Sequence, residues 1–211
     1  MRRLPIYFLV DISGASDIYK LNMCLLKFLL YIRENPYMVE TACISIITIG
    51  DTAKIVLPLT EFCDIKAIPI FHEEKGMALG KALNLLMDDI DKNVVKTTIE
   101  RKGDMKPIIF LFANGMPTGN ITLALKKWNR NFLYKSTLVS VARKNVANLL
   151  EPISNCVLPQ TDLTMSKLPN FFIKLFFGQW KLHFVLRNKR IETTSTENLK
   201  KCFLICNFKS S

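Results

Sequence analysis

Histidine is almost missing from this chain, which has two among 211 residues, and tryptophan is equally scarce. The two histidines, His72 and His183, lie far apart in segments of different character, so no His-based catalytic or metal spacing can be drawn. His72 precedes Glu73 and Glu74 and reads as a solvated or capping residue. No Gly-x-Ser-x-Gly elbow, phosphate loop or dinucleotide fingerprint occurs. These absences exclude the common catalytic signatures, and the expectation is a protein that is not an enzyme. Long apolar runs are also lacking: none reaches the roughly 18 residues of a membrane span. Lys27 interrupts the stretch from Met23 to Ile32. The opening Met1-Arg2-Arg3-Leu4-Pro5 feeds straight into an apolar strand and then Asp11, so no cleavable leader is read there and a cytoplasmic protein is expected.

Acidic residues are in deficit, 18 against 29 basic ones, for a net charge of +11. That balance suits an acidic partner, whether nucleic acid, anionic membrane or acidic protein, but a lysine-rich, isoleucine-rich composition with no functional message is the preferred reading, because no segment interleaves dense Lys/Arg with aromatics as single-strand binders do. From Lys181 to Ser211 there are seven basic and two acidic residues. The six cysteines form no Cys-x-x-Cys pair, and Cys202 and Cys206 have no further ligand beside them. Most sit in apolar segments, as reduced thiols in a reducing compartment would. Asp88, Asp89 and Asp91 cluster near a helix end and read as a solvated face.

Hydrophobic residues are 49% of the chain, enough for one full core. The apolar run Pro5 to Val10 is cut off by Asp11-Ile12-Ser13-Gly14-Ala15-Ser16, which reads as a buried parallel strand with hydroxyls and a carboxylate at its carboxyl end. Asp17 to Arg33 has helical spacing, capped by Ser16 or Asp17 and stopped by Asn35-Pro36. Glu40 to Gly50 reads as a strand covered on both sides, and Ala53 to Leu57 as its hairpin return. Leu59 to Phe71 is irregular. Met77 to Asp91 is a helix, Pro107 to Ala113 a buried strand, and Asn114 to Gly119 a turn. Then follow a helix over Ile121 to Asn129, a strand over Phe132 to Ala142, a short helix over Asn145 to Leu150 and a short strand over Asn155 to Leu158. A last helix is expected over Leu163 to Phe177, and two short strands over Leu182 to Leu186 and Lys201 to Cys206. The alternation predicts an α/β three-layer α-β-α sandwich, with a mostly parallel central sheet and one antiparallel edge strand. On its own, the Asp11–Ser16 segment supports two readings: a metal-binding loop, or a carboxylate and serine capping the next helix.

Three segments in order carry a resemblance. Pro5 to Gly14 resembles the opening strand of von Willebrand factor A (vWA) domains, and Arg2-Arg3-Leu4-Pro5 before it resembles the bacterial tellurite-resistance TerY type. Gly76-Met77-Ala78-Leu79-Gly80-Lys81-Ala82-Leu83 is similar to that subfamily's Gly-Thr-x-Leu-Gly-x-Ala-Leu helix start. Pro107 to Thr118 is similar to its strand followed by Thr-Asp-Gly-x-Pro-Thr. The resemblance covers residues 3–178 and implies a vWA-like (Rossmann-like) domain there, with 179–211 a basic extension, either a hairpin arm or an unpacked tail. It also implies a protein-interaction role in a stress-response or tellurium-resistance assembly.

What the resemblance implies about metal is weakened by the residues present. The family's adhesion site combines Asp-x-Ser-x-Ser, a threonine and a second aspartate around Mg²⁺, leaving one coordination position for an acidic partner residue. Here Asp11 and Ser13 remain as residual ligands, while Ala15, Met77 and Asn114 stand where a serine, the threonine and the aspartate are expected. Mg²⁺ wants an octahedron of hard oxygens, so no tight cofactor is expected, with weak Mg²⁺ binding as the fallback. The degenerate site becomes a binding cleft of Asp11, Ser13, Ala15, Ser16, Met77, Asn114 and Thr118 for a protein partner. In it the Asn114 amide and the Ser13 hydroxyl would donate to Asp11, and Met77 would fill the vacated space. Rescue of metal binding by Ser16, Asp17 or Thr118 would need a rearranged loop. The alternatives are a basic adaptor for nucleic acid or an anionic surface, and a decayed copy with no remaining role.

Overall fold

The structure, a computed structural model, describes residues 2–160. The chain divides into two units, 1–161 and 162–211. The expected last helix, the two tail strands and the boundary at 178/179 lie outside the described residues. Six strands form one sheet: β1 (Leu4–Asp11), β2 (Ala42–Ile49), β3 (Ala53–Glu61), β4 (Ile108–Ala113), β5 (Thr137–Ala142) and β6 (Cys156–Pro159). Their spatial order is β3-β2-β1-β4-β5-β6. All neighbours are parallel except β2 and β3. Every residue of β1, β2 and β4 is buried, which is why these segments read as unbroken apolar runs. The edge strand β3 alternates in exposure and carries Pro58, tolerable where no further strand needs its missing N–H.

Five helices connect the strands: α1 (Ile18–Arg33), α2 (Pro36–Thr41), α3 (Leu79–Asn93), α4 (Thr122–Asn131) and α5 (Lys144–Leu150). On one face, Phe8 of β1 and Phe110 of β4 stack at 5.6 Å, and Phe28 of α1 meets them edge-on at 4.8 and 5.7 Å. The opposite face of the same strands, Tyr7, Leu9, Ile109 and Leu111, shares a core with Leu83, Leu86, Trp128 and Leu150 from α3, α4 and α5. Helices thus cover both faces, and the expected three-layer sandwich with one antiparallel edge is the observed fold.

Several boundaries differ from the sequence reading. Asn35-Pro36 ends α1 and also begins α2: the Asn35 side chain accepts from the Met38 N–H, and Pro36 takes the first helical position, where its missing N–H costs nothing. β2 therefore starts at Ala42 rather than Glu40. β3 runs four residues further than expected, accommodated by a register irregularity opposite Ile44–Ile47. β5 begins at Thr137; the apolar residues before it close a turn, with Ser136 Oγ donating to the Phe132 carbonyl at 2.8 Å.

The acidic run on α3 is only partly solvated. Asp89 is buried, and its carboxylate accepts the Tyr7 hydroxyl at 2.9 Å and the Asn93 amide at 2.8 Å. Burial, reinforced by the Asp89 charge and this bond, holds the Tyr7 phenol well above its ordinary range. Burial also pushes the thiol of Cys24 up to about 12 and that of Cys43 up to about 11, so both act as small hydrophobes. Removing the buried hydroxyl by Tyr7→Phe should cost about 1.5–3 kcal/mol in urea unfolding at neutral pH. The pH dependence has a definite sign. An unfolded tyrosine ionises near pH ~10 while the folded one keeps its proton, so this stabilisation is complete below that pH and declines as pH rises further. Wild type should lose stability more steeply than Tyr7→Phe in alkaline unfolding, and parallel curves would contradict the assignment.

Candidate functional site

The strand order sets where a site can form. From β1 the chain leaves into α1 on one face, whereas from β4, its neighbour, it leaves into α4 on the other. The connections diverge above β1 and β4 and open a crevice at their carboxyl ends, where ligands of open α/β sheets bind. Asp11 is the last residue of β1 and Asn114 the first after β4.

Asp11 is fully buried, and the loops around it are tied together by its carboxylate. One oxygen, Oδ1, accepts the Ser13 N–H at 2.9 Å. The other, Oδ2, accepts the N–H groups of Asn114 at 2.8 Å and Gly115 at 2.7 Å. Backbone bonds complete the ring: Ile12 N–H to the Ile49 carbonyl (3.0 Å), Glu74 N–H to Ile12 (2.9 Å), Ala78 N–H to Gly50 (2.8 Å) and Thr118 N–H to Met77 (2.8 Å). Ser13 and Glu74 form an isolated parallel bridge, a contact nothing in the sequence pattern signals. Gly76 turns the chain toward Met77 at φ +71°, a conformation suited to glycine.

Asp11, Ser13, Met77 and Asn114 are thus brought together and buried, with Ala15 and Ser16 half-buried beside them and Thr118 exposed at the rim. Two expected contacts differ: neither the Asn114 side-chain amide nor the Ser13 hydroxyl donates to Asp11, and the Ser13 N–H takes the hydroxyl's place. The Asn114 side-chain amide donates to Ser16 Oγ at 3.1 Å, and it is the Asn114 backbone that reaches Asp11. A carboxylate already served by three main-chain donors leaves little for an amide to satisfy. Ser13 Oγ and Asn114 Oδ1 are buried without a hydrogen-bond partner among the described residues. Asp17 caps α1, accepting from the Lys20 N–H at 3.0 Å, and is not turned to the site.

This donor set does not fit a tightly held octahedral dication. It offers one carboxylate, with three of its roughly four lone-pair sites taken, plus neutral oxygens, and Met77, at the threonine position, supplies no oxygen and belongs to the hydrophobic core. Elsewhere, Glu61, Cys63 and Asp64 hold potential ligand atoms within 4.8 Å of one another at the end of β3. All three are exposed, and this group could chelate a divalent ion only weakly. His72 is exposed, as expected.

No protein-family model matches the chain. No curated protein matches it in sequence. Among solved structures it is similar to proximal thread matrix protein 1 from the mussel byssus (TM-score 0.60, 16% identity, covering 82% of this chain and 46% of that one). A further structure of that mussel protein carries a zinc-occupied MIDAS motif. It is also similar to a von Willebrand factor type A protein from Catenulispora acidiphila (TM-score 0.55, 12% identity, 82% and 42% covered). BatB from Bacteroides thetaiotaomicron aligns with a TM-score of 0.55 at 12% identity, over 82% of this chain and 99% of that one. The chain spans less than half of the first two. The fold is that of vWA-type domains.

A methyl group added to Gly115, in the loop after β4, would sit 2.8 Å from Ser13 Oγ and 3.4 Å from Asp11 Oδ2 at the end of β1, and 3.5 Å from Met77 Cβ in the loop before α3. Gly115→Ala should therefore cost about 1–2 kcal/mol, most of it recovered in a Ser13→Ala background. Strictly additive costs in this double-mutant cycle would mean that the loops do not meet as described.

Proposed function

We propose that this chain is a non-catalytic protein-interaction module of the vWA type, and more narrowly of the TerY-like kind, that meets a protein partner over the carboxyl edge of its sheet without a bridging dication. The observation that carries this reading is the state of Asp11. The carboxylate at the position of the family's first metal ligand is consumed by three backbone N–H groups, and the threonine position holds buried Met77. A carboxylate spent on holding loops together supports a pre-formed surface rather than a coordination sphere. Partner contacts would fall on the rim of Ala15, Ser16 and Thr118, with Asp11, Ser13, Met77 and Asn114 as its floor.

The placement in a stress-response or tellurium-resistance assembly rests on the three TerY-like segments alone. A cytoplasmic setting is supported by the free thiols of Cys43 and Cys63. Among the described residues no helix is long and apolar enough to cross a membrane. The competing reading as a basic adaptor for nucleic acid or an anionic surface draws on the net charge of +11. It predicts binding that falls steeply with salt, unlike a packed protein interface.

Calorimetric titration tests the metal-free reading directly. Wild type should show no micromolar Mg²⁺ or Mn²⁺ binding, and the combined change Ala15→Ser, Met77→Thr and Asn114→Asp should create it. Micromolar affinity in the unmodified protein would sink the proposal, and a triple variant that stays inert would mean the family's ligand positions have been misassigned.

A further inference from the structure

The positive charge of this protein is unevenly placed. Residues 1–104 carry 13 Lys/Arg and 14 Asp/Glu. Met105 to Leu150 carry seven Lys/Arg and no acid. A bias of composition would be spread along the chain, so this run calls for a structural account. It forms β4, α4, β5 and α5. The two helices lie on the same face of the sheet, where Trp128 of α4 shares a core with Val146 and Leu150 of α5. Ala124 and Trp128 are the buried side of α4, which turns Lys126, Lys127 and Arg130 outward as helical neighbours. Lys135 follows α4, and Arg143 and Lys144 stand at the start of α5.

These cations are accessible and largely unmatched. Lys126, Arg130, Lys135, Arg143 and Lys144 are exposed, and none of them makes an ion pair among the described residues. Lys127 pairs with Asp88 of α3 at 3.4 Å, but both side chains are exposed and such a pair is worth little. Glu151, just after α5, is the first acid beyond the run. In the balanced part of the chain, by contrast, Arg3 meets Asp104 at 2.8 Å and Lys54 meets Glu74 at 2.7 Å. Cations gathered on one helix layer without counter-charges repel one another, and a polyanion laid across them relieves that repulsion.

We propose that the outer face of α4 and α5 binds the phosphate backbone of a double-stranded nucleic acid without reading its sequence. None of its residues lines the crevice, and the inference does not rest on the metal-free reading. What decides among polyanions is what else each one needs. An acidic protein would meet an apolar centre in the interface, and a lipid surface would take up an apolar helix face. Leu123 and Tyr134 are exposed, but they stand before and after the cations, and the exposed residues between them are Lys126, Lys127, Arg130 and Asn131. Thr122, Asn145 and Asn148 are exposed as well. Hydroxyls and amides beside Lys and Arg are the groups that hold phosphate and sugar, and contacts of that kind carry no sequence information. A single strand needs a row of aromatic platforms, whereas Tyr134 is the one exposed aromatic from Met105 to Leu150. A duplex, met through its phosphates, is the match.

Fluorescence anisotropy of the full chain with a short mixed-sequence DNA duplex, between about 50 and 200 mM salt, gives the test. Each neutralised phosphate adds roughly 0.9 to the steepness of log K against log salt, so the cations of this face predict a slope of about −5. Lys126→Gln and Arg130→Gln should each flatten it by about 1. Lys27→Gln, on α1 across the sheet, removes the same charge and should leave the slope unchanged. Scrambling the duplex sequence should not matter. Equal flattening by Lys27→Gln would show total charge at work rather than this face, and overturns the inference. A full slope retained by the Lys126→Gln, Arg130→Gln double variant overturns it too, moving the contacts to the basic residues after 160. Poly-glutamate or phosphatidylserine vesicles that bind as tightly as the duplex overturn the choice of nucleic acid, and a single strand that binds more tightly overturns the choice of a duplex. Absence of duplex binding at the low-salt end overturns the whole inference and leaves the crevice reading untouched.

Discussion

The fold's upper surface depends on one buried carboxylate. Asp11 sits at the end of the central strand and accepts main-chain N–H groups from its own loop and from the loop after β4. A lone buried carboxylate would be costly; one surrounded by three oriented donors is satisfied without a counter-ion. The same bonds give the backbone donors of Ser13, Asn114 and Gly115 an acceptor, where diverging loops would otherwise leave them unpaired. This solution needs parallel strands that end level. The Val10–Phe112 pairing puts Asp11 beside Ala113, one residue short of the first donor. Shifting β1 by one residue would turn the carboxylate to the other face of the sheet, and shifting β4 would carry the Asn114 and Gly115 N–H groups away from it.

From that constraint the roles of the neighbouring residues follow. Gly115 lacks a side chain because any Cβ would press on Ser13. Met77 is buried because the loop carrying it is tied to Gly50 through Ala78 and to Thr118, so its side chain has nowhere to go but inward. The loops are mutually braced by backbone hydrogen bonds, which do not depend on a metal. A surface built in this way needs little reorganisation when it binds, and preorganisation of this kind lowers the entropic cost of association.

Much of the architecture was legible because it rests on local patterns. Unbroken apolar runs marked β1, β2 and β4, and helical spacing marked α1 and α3. The elements misjudged depend on context. α2 is six residues long and shares Asn35-Pro36 with the end of α1. The apolar residues before Thr137 look like strand but close a turn. Asp89 reads as one of a solvated cluster because its partner, Tyr7, lies 82 positions away in sequence. The crevice was legible as a set of residues, since Asp11, Met77 and Asn114 each stand at a strand or helix boundary. Its bonding was not. Sequence reasoning assigned Asn114 a side-chain role, and the strand geometry gave that role to its backbone.

That exchange decides which polar atoms of the crevice are left over. Had the Asn114 side chain been spent on Asp11, the site would be closed, with acceptor and donor cancelling. Because the backbone supplies Asp11, the side chain turns to Ser16 and one amide oxygen is left over, and Ser13 Oγ is left over for the same reason. Ser13 Oγ can donate as well as accept, so the atoms left over do not select a ligand of one charge. The net charge of +11 acts on any partner of this surface mainly within about 8 Å at physiological salt, so short-range fit outweighs long-range steering there.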